Sequence, residues 1–222
     1  ENSINRAIAP DVNKLCHIQD QTKELAEILF VTSYPPRVCG IATYSQDLIK
    51  ALNNKFSNSF SIKVCALESG DTDFSYPAEV KYTLKTSLAD SYIKLAIKIN
   101  DDDRIKIVLI QHEFGFFRLQ EESFLQFLSK LSKPVVIVFH TVLPDPDEQL
   151  KSKIRSIAAV CNSFIVMTHN SARILIYDYG VPKQKISVIA HGTHLVPHLS
   201  KEFLKNKFGL EGRHVLTTFG LL

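Results

Sequence analysis

The chain has 222 residues, of which 45% are hydrophobic and 22% are charged. This composition is typical of a soluble globular protein and excludes disordered, collagen-like and coiled-coil classes. The net charge of +3 is too small to indicate a nucleic-acid partner, because such partners select for clustered basic residues.

The predicted elements begin after residue 24. Residues 1–24 are polar and lack strong periodicity, so we interpret them as a linker or an appended tail, with a short helix predicted near residues 13–26. Six short apolar runs rich in Val, Ile and Phe follow, and such continuous apolarity is typical of strands buried on both faces of a parallel sheet. The runs span residues 28–31, 62–66, 105–110, 135–139, 164–167 and 186–189.

Segments with helical spacing of apolar residues separate these runs. The predicted helices span residues 41–53, 88–99, 122–131, 148–160 and 171–179, and Gly180 is placed to cap the last of them. Alternating strands and helices at this spacing predict an α/β fold with a parallel sheet.

The end of the sequence predicts a domain boundary. A helix is predicted at residues 201–208 and a strand at 215–219, but nothing follows that strand to complete a βαβ unit. We therefore expect residues 25–212 to form one domain and residues 213–222 to begin a second, truncated domain.

The four cysteines are Cys16, Cys39, Cys65 and Cys161, and they form neither a C-x-x-C pair nor a metal-ligand spacing. We interpret them as reduced thiols of a cytoplasmic protein, with Cys65 and Cys161 in the core. We expect no metal and no cofactor. No apolar run approaches the roughly 18–20 residues that cross a bilayer.

The first predicted strand runs into a turn that opens a helix at Gly40. Free backbone N–H groups and the helix dipole favour anions there, and a glycine lets a phosphate or sugar approach the main chain. Arg37, in the same turn, is a candidate partner for phosphate. A plain strand–helix connection is the alternative, and the turn has neither the P-loop nor the dinucleotide-binding pattern.

Histidines follow three of the predicted strands, namely His112, His140 and His191. The carboxyl ends of parallel strands share one edge, where open α/β sheets bind ligands, so we expect the three imidazoles to converge in a functional cleft. The alternative is that each is a satisfied structural residue. No H-E-x-x-H or G-x-S-x-G pattern is present, which argues against a metalloprotease or a serine hydrolase.

Residues 31–52 closely resemble the opening of family-four (GT-B type) glycosyltransferases. That family begins with a strand, a Tyr-Pro-Pro-type turn, Gly-Gly-Ile-Ala or Cys-Gly-Ile-Ala, and an amphipathic helix. Residues 108–117, 135–141, 186–193 and 216–222 also resemble family motifs and occur in the expected order. The resemblance covers nearly the whole chain. It implies the N-terminal, acceptor-side half of a GT-B fold, with a Rossmann-like, doubly wound, mainly parallel sheet and helices on both faces.

The resemblance also implies a reaction, the retaining transfer of a hexose-type sugar from a nucleotide-sugar donor to an acceptor hydroxyl. His140 matches the histidine that touches the donor sugar and is the catalytic candidate. The residues expected to bind the donor diphosphate and sugar are Gly40, Ile41, Ala42, His191 and Gly192. The residues expected on the acceptor side are Arg37, His112, Glu113, Phe116 and Phe117. Cys39 stands where the family usually has a first glycine.

Partners follow from the same resemblance. The missing C-terminal domain should hold most of the donor, so we expect this chain alone to be inactive, and we expect a carbohydrate or lipid-linked acceptor. Basic segments at residues 151–155 and 201–207 are candidates for peripheral contact with the inner membrane face, with a solvated helix face as the alternative. A nucleotide-sugar epimerase of the same architecture and a non-catalytic sugar- or partner-binding module remain open.

Overall fold

The computed structural model describes residues 25–56, 59–70, 74–192 and 197–218. Within these residues the chain forms a seven-stranded, fully parallel sheet in the order β3-β2-β1-β4-β5-β6-β7. This architecture confirms the predicted α/β, doubly wound, Rossmann-like class. The strands are β1 (Glu27–Thr32), β2 (Ser61–Glu68), β3 (Val80–Lys85), β4 (Ile105–His112), β5 (Val135–Phe139), β6 (Ser163–Val166) and β7 (Ile186–Val188).

Seven helices accompany the sheet in the described part of the chain. They are α1 (Gly40–Phe56), α2 (Ala89–Asp101), α3 (Phe114–Phe117), α4 (Glu121–Lys130), α5 (Glu148–Val160), α6 (His169–Tyr177) and α7 (Lys201–Lys207). The sequence pattern predicted all of them except α3, and Gly180 adopts the positive φ of 73° that suits a position just after a helix.

The core consists of two clusters, one on each face of the sheet. The smaller cluster packs α1 against β1 and β2 through residues such as Phe30, Ile49 and Val64. The larger cluster packs α2, α4, α5 and α6 against the other face, and it contains the predicted core cysteines Cys65 and Cys161. The sheet thus has helices on both faces, as predicted.

The strand order reverses between β1 and β4. The chain moves from β1 to β2 and β3 on one side, then returns to place β4 on the other side of β1. In open parallel sheets a crevice forms outside the carboxyl ends of the strands at such a point, and ligands bind there. This reversal places the β1–α1 turn and the end of β4 at the same edge.

The segment after β7 differs from its prediction. Helix α7 forms, and the Ser200 side chain accepts a hydrogen bond from the Phe203 amide at its start. The predicted strand at 215–219 is not formed in its described part, residues 215–218. A strand needs a neighbouring strand to satisfy its backbone groups, and these residues pair with none of the seven described strands. Residues 1–24 and 219–222 lie outside the described residues, so the predicted tail and the domain boundary stay predictions.

Among the helices of the described residues, none is long and apolar enough to cross a bilayer.

Candidate functional site

The turn between β1 and α1 is held by contacts to neighbouring elements. The Tyr34 hydroxyl donates to Glu79 at 3.0 Å, and the side-chain hydroxyls of Thr32 and Ser45 lie 2.7 Å apart, which ties α1 to the end of β1. The Arg37 Nη1 donates to the Leu67 carbonyl at 3.3 Å. The start of α1 is therefore a positioned element at the reversal point of the sheet.

Helix α1 begins at Gly40, as predicted. Its first intrahelical bond joins the Thr43 amide to the Cys39 carbonyl at 3.1 Å, so helix geometry leaves the N–H groups of Gly40, Ile41 and Ala42 without an acceptor inside the helix. Gly40 is exposed and Ile41 is half-buried. Ala42 is 0% exposed and packs in the core. Its expected contribution to donor binding is a backbone N–H, and that contribution stays a prediction.

An open space surrounds the Cβ position of Gly40. A Cβ built there would meet nothing within 4 Å outside its own neighbourhood, and its φ is not in the left-handed region. The described fold therefore does not need a glycine at this position, whereas close approach of a ligand to the main chain would.

His140 and His191 both pack against Tyr44, a half-buried residue in the second turn of α1. The Tyr44 ring lies 5.2 Å from the His140 ring and 4.8 Å from the His191 ring, measured between centroids. The His191 Nδ1 lies 2.7 Å from the Gly192 carbonyl, and both residues are exposed. These four residues and the start of α1 form a single cluster, which we call the edge site.

The His140 ring is oriented by Gln111, the penultimate residue of β4. The His140 Nε2 lies 2.7 Å from the Gln111 Oε1, and Gln111 is fully buried. With the amide oxygen as acceptor, Nε2 carries the proton and Nδ1 keeps a free lone pair. Burial, reinforced by the nearby His191, lowers the pKa of His140 to about 4, so the ring is neutral at pH 7.

His112 does not join the edge site, which corrects the expected convergence of three imidazoles. Its ring packs 4.9 Å from the Phe139 ring and 5.7 Å from the Phe117 ring, on the face that carries α4 and α5. Successive side chains of a strand point to opposite faces, so Gln111 faces α1 and His112 faces away. His112 is 3% exposed, and burial lowers its pKa to about 3, with smaller effects from His140 and Lys153.

The other acceptor-side candidates divide into surface and core. The Arg37 guanidinium lies 5.8 Å above the half-buried Phe116 ring, near the edge. Phe117 is 3% exposed and stacks on Phe124 at 3.9 Å, so it lies in the core, and its expected contact with the acceptor stays a prediction. Glu113 links the ends of β4 and β5, because it caps the Phe114 amide at 3.0 Å and accepts from the Thr141 hydroxyl at 2.6 Å.

Sequence analysis missed two residues of this site, Tyr44 and Gln111. A signal was present for each. Tyr44 follows Gly40 by about one helical turn, and Gln111 is a polar residue inside an apolar strand, directly before its end.

Two polar atoms near this edge, the Ser33 Oγ and the Gln111 Nε2, are buried and have no hydrogen-bond partner among the described residues.

The basic segment at residues 151–155 is engaged in internal contacts. Lys151 pairs with Glu148 at 2.7 Å, Lys153 pairs with Glu121 at 2.5 Å, and the Arg155 Nε donates to the Tyr179 carbonyl at 2.9 Å. Each of its cations thus has a partner, which favours a structural role over the membrane contact that we considered.

The fold and the edge site together define a doubly wound α/β domain whose first helix begins at the switch point of the sheet, the place where domains of this class bind ligands. The chain belongs to Glycosyltransferase Family 4, whose family model matches residues 38–196, most of the chain. This match confirms the family that the motifs indicated. No curated protein matches the sequence.

Three solved structures are similar in fold. One is the UDP-GlcNAc 2-epimerase from Methanocaldococcus jannaschii, with 16% identity, a TM-score of 0.47, and coverage of 73% of this chain and 45% of that one. An alpha-glucosyltransferase in complex with UDP and a mismatched 13-mer DNA has 13% identity, a TM-score of 0.42, and coverage of 66% and 38%. An alpha-glucosyltransferase in complex with UDP-glucose and DNA containing an abasic site has 14% identity, a TM-score of 0.40, and coverage of 66% and 36%. The chain spans less than half the length of each.

Proposed function

We propose that this chain is the N-terminal, acceptor-side wall of a glycosyltransferase that moves a hexose-type sugar from a nucleotide-sugar donor to an acceptor hydroxyl with retention. Family membership supports the transferase class. The observation that carries the assignment to this edge is the arrangement of the Gly40 helix start beside the rings of Tyr44, His140 and His191.

The helix start supplies the diphosphate contact in this proposal. The N–H groups of Gly40 and Ile41 point out of α1 without helical acceptors, and the positive end of the helix dipole lies at the same place. A leaving diphosphate gains negative charge in the transition state, so donors fixed in advance lower the barrier. The absent Cβ at Gly40 leaves room for the phosphate oxygens.

His140 orients the donor sugar and does not act as a strong base. Its pKa of about 4 keeps it neutral, and its Nε2 is committed to Gln111, which leaves Nδ1 to accept a hydrogen bond from a sugar hydroxyl. His191 and Gly192 complete the donor side of the edge, whereas Arg37 and the Phe116 ring lie toward the acceptor. We assign no protein nucleophile.

The test compares Gly40→Ala with Gly115→Ala, because a Cβ meets no neighbour within 4 Å at either position. Nucleotide-sugar binding and turnover are measured for the full product of the gene. We expect Gly40→Ala to weaken binding of the diphosphate donor at least about tenfold without loss of thermal stability, and Gly115→Ala to preserve donor binding.

Two results would overturn the assignment. Unchanged donor affinity in Gly40→Ala would remove the helix start from the site. Conversion of a nucleotide sugar to its epimer without any acceptor would replace sugar transfer by the epimerase alternative.

A further inference from the structure

A cavity of about 140 Å³ lies on the sheet face opposite α1, between the end of β4 and helices α3, α4 and α5. It is separate from the edge site, because Gly40, Tyr44, His140 and His191 do not line it. Its lining residues are His112, Phe114, Phe117, Glu121, Glu122, Phe124, Leu125, Lys153 and Ile157.

Aromatic rings form most of the inner wall of this cavity. Phe117 and Phe124 stack nearly parallel, with an interplanar angle of 9° and ring centroids 3.9 Å apart. The Phe114 ring stands at 87° to the His112 ring, and Leu125 and Ile157 supply aliphatic surface. Such walls favour a flat apolar group that can stack or meet the rings edge to face.

His112 is the buried polar residue of the lining. The His112 Nδ1 is buried and has no hydrogen-bond partner among the described residues. The pKa of His112, lowered to about 3 mainly by burial, keeps the imidazole neutral, so this nitrogen is either a single donor or a single acceptor. A buried polar atom without a partner costs free energy, and a ligand that pairs with it recovers that cost.

Charged side chains occupy the mouth. Lys153 pairs with Glu121 at 2.5 Å, their side chains are 29% and 40% exposed, and the exposed Glu122 lies beside them. The cavity therefore has charged side chains in its lining that reach solvent, an apolar wall and one buried polar residue, His112.

We propose that this cavity is a binding site for a small hydroxylated aromatic ring, which enters between α4 and α5 and places its hydroxyl on the His112 Nδ1. Apolar cavities of about 150 Å³ accommodate a benzene ring, so one ring fits this volume. A phenolic hydroxyl both donates and accepts, and it therefore pairs with Nδ1 in either tautomer. A sugar ring carries hydroxyls all around it, and the aromatic and aliphatic inner walls would leave most of them without a partner.

The test titrates phenol into the isotope-labelled chain and follows the His112 side-chain nitrogens by NMR. Toluene is the matched probe, because it has the same ring and no hydroxyl. We expect a saturable shift of His112 with phenol in roughly the millimolar range or tighter, and about tenfold weaker binding of toluene.

Variants separate the cavity from other sites. Leu125→Trp fills it and should abolish the shift, whereas Leu119→Trp changes a residue that is 67% exposed outside the cavity and should not. His112→Leu should retain toluene and lose the preference for phenol, and it keeps the test valid if Leu125→Trp does not fold.

Three results would overturn the inference: no saturation at His112, equal affinities for phenol and toluene, or phenol binding that persists unchanged in both cavity variants. None of these measurements uses a nucleotide sugar, so their failure leaves the proposed sugar transfer untouched.

Discussion

The Gln111 amide decides which nitrogen of His140 is available to a ligand. Replacing this neutral acceptor by a carboxylate in Gln111→Glu places a negative charge about 2.7 Å from the His140 Nε2. An opposite charge at this distance favours the imidazolium, so we expect the pKa of His140 to rise from about 4 by more than one unit. An NMR titration of the His140 side-chain signals measures this rise.

The control for this substitution is Gln126→Glu, which adds the same charge at an exposed position of α4. It should leave the pKa of His140 where it is. If Gln111→Glu also leaves that pKa unchanged, the two side chains are not bonded in solution, and the tautomer argument fails. In the proposed transferase, a protonated His140 would offer a donor at Nδ1 in place of an acceptor, so sugar transfer by Gln111→Glu should fall as the pH is lowered through the raised pKa, at a higher pH than in the unsubstituted protein.

His112 makes the stability of the fold depend on pH. Its pKa is about 3 in the folded state and about 6.5 when unfolded, so the unfolded chain takes up the proton first as pH falls. The contribution of neutral His112 to the free energy of unfolding is fully present above about pH 6.5, and it is lost as the pH falls toward 3. Between pH 7.5 and pH 5 the share due to His112 is about 2 kcal/mol. Urea unfolding at both pH values should show a decline smaller by about this amount in His112→Leu.

His198→Leu serves as the matched control, because His198 is exposed to solvent in the fold. It should decline as the unsubstituted chain does. For Asp102, burial opposes ionisation, but hydrogen bonds from Lys81 and the Arg104 amide together outweigh it and lower the pKa to about 2. The stability that Asp102 contributes is therefore lost only below about pH 4, outside this window. An identical decline in His112→Leu would mean that this ring takes up protons in the folded state.

At the residue scale, sequence analysis placed His140, His191 and Gly40 at the correct edge but misplaced His112. The rule that strand ends share an edge locates the backbone, and His140 indeed donates its amide to the His112 carbonyl at 3.1 Å. Successive side chains of a strand point to opposite faces, so the face that His112 occupies depends on its exact position in β4. That position is defined by the pairing of β4 with β5. The Gln111–His140 pair could not be predicted, since its partners are 29 residues apart.

Among the elements, the edge strand β3 is held by a charged cluster at the amino end of the sheet. The Lys81 ammonium pairs with Glu27 on β1 at 2.5 Å and with Asp102, and Glu27 is only 3% exposed. Replacing Lys81 by Met keeps the aliphatic stem but removes the principal cation from a buried carboxylate. We expect a loss of about 2–4 kcal/mol in the free energy of unfolding, measured with urea.

Lys151→Met is the matched control, because Lys151 pairs with Glu148 on the solvent side of α5, where the acid is 79% exposed. Solvent screens an exposed ion pair and side-chain entropy opposes it, so the control should unfold nearly as the parent does. Equal losses of unfolding free energy in the two variants would show that burial of Glu27 does not raise the cost of removing its cationic partner.

Strand β3 is also one of the elements that the sequence pattern did not predict. Strands β1, β2 and β4 to β7 were predicted because most of them carry continuous apolar runs, whereas β3 buries only Leu84 and is otherwise polar or half-exposed. Helix α3 escaped detection because four residues are too few for helical periodicity to appear. Residues 215–218 show the opposite error, since their apolar run has no partner strand among the described residues.

For the whole molecule, the doubly wound topology explains why one edge collects the candidate residues. Helix α1 packs on one face of β1, and the ends of β4, β5 and β7 bring Gln111, His140 and His191 toward it. In the proposed transferase this edge would form one wall of the cleft. Transfer between two substrates requires both to be held, and the proposed second domain would hold most of the donor.

In the proposed transferase the active site is divided between this domain and a second domain, so we predict that turnover needs both domains. We expect the two-domain form to release nucleoside diphosphate from at least one donor of a nucleotide-sugar panel when acceptor is present, and this chain alone to do so at least about 10³-fold more slowly, because positioning of the two substrates is lost. Circular dichroism of the chain alone checks that it is folded.

His140→Ala in the two-domain form should reduce transfer while donor binding through the Gly40 helix start persists. Comparable turnover by the 222-residue chain would contradict the split site, because one wall would then suffice for catalysis.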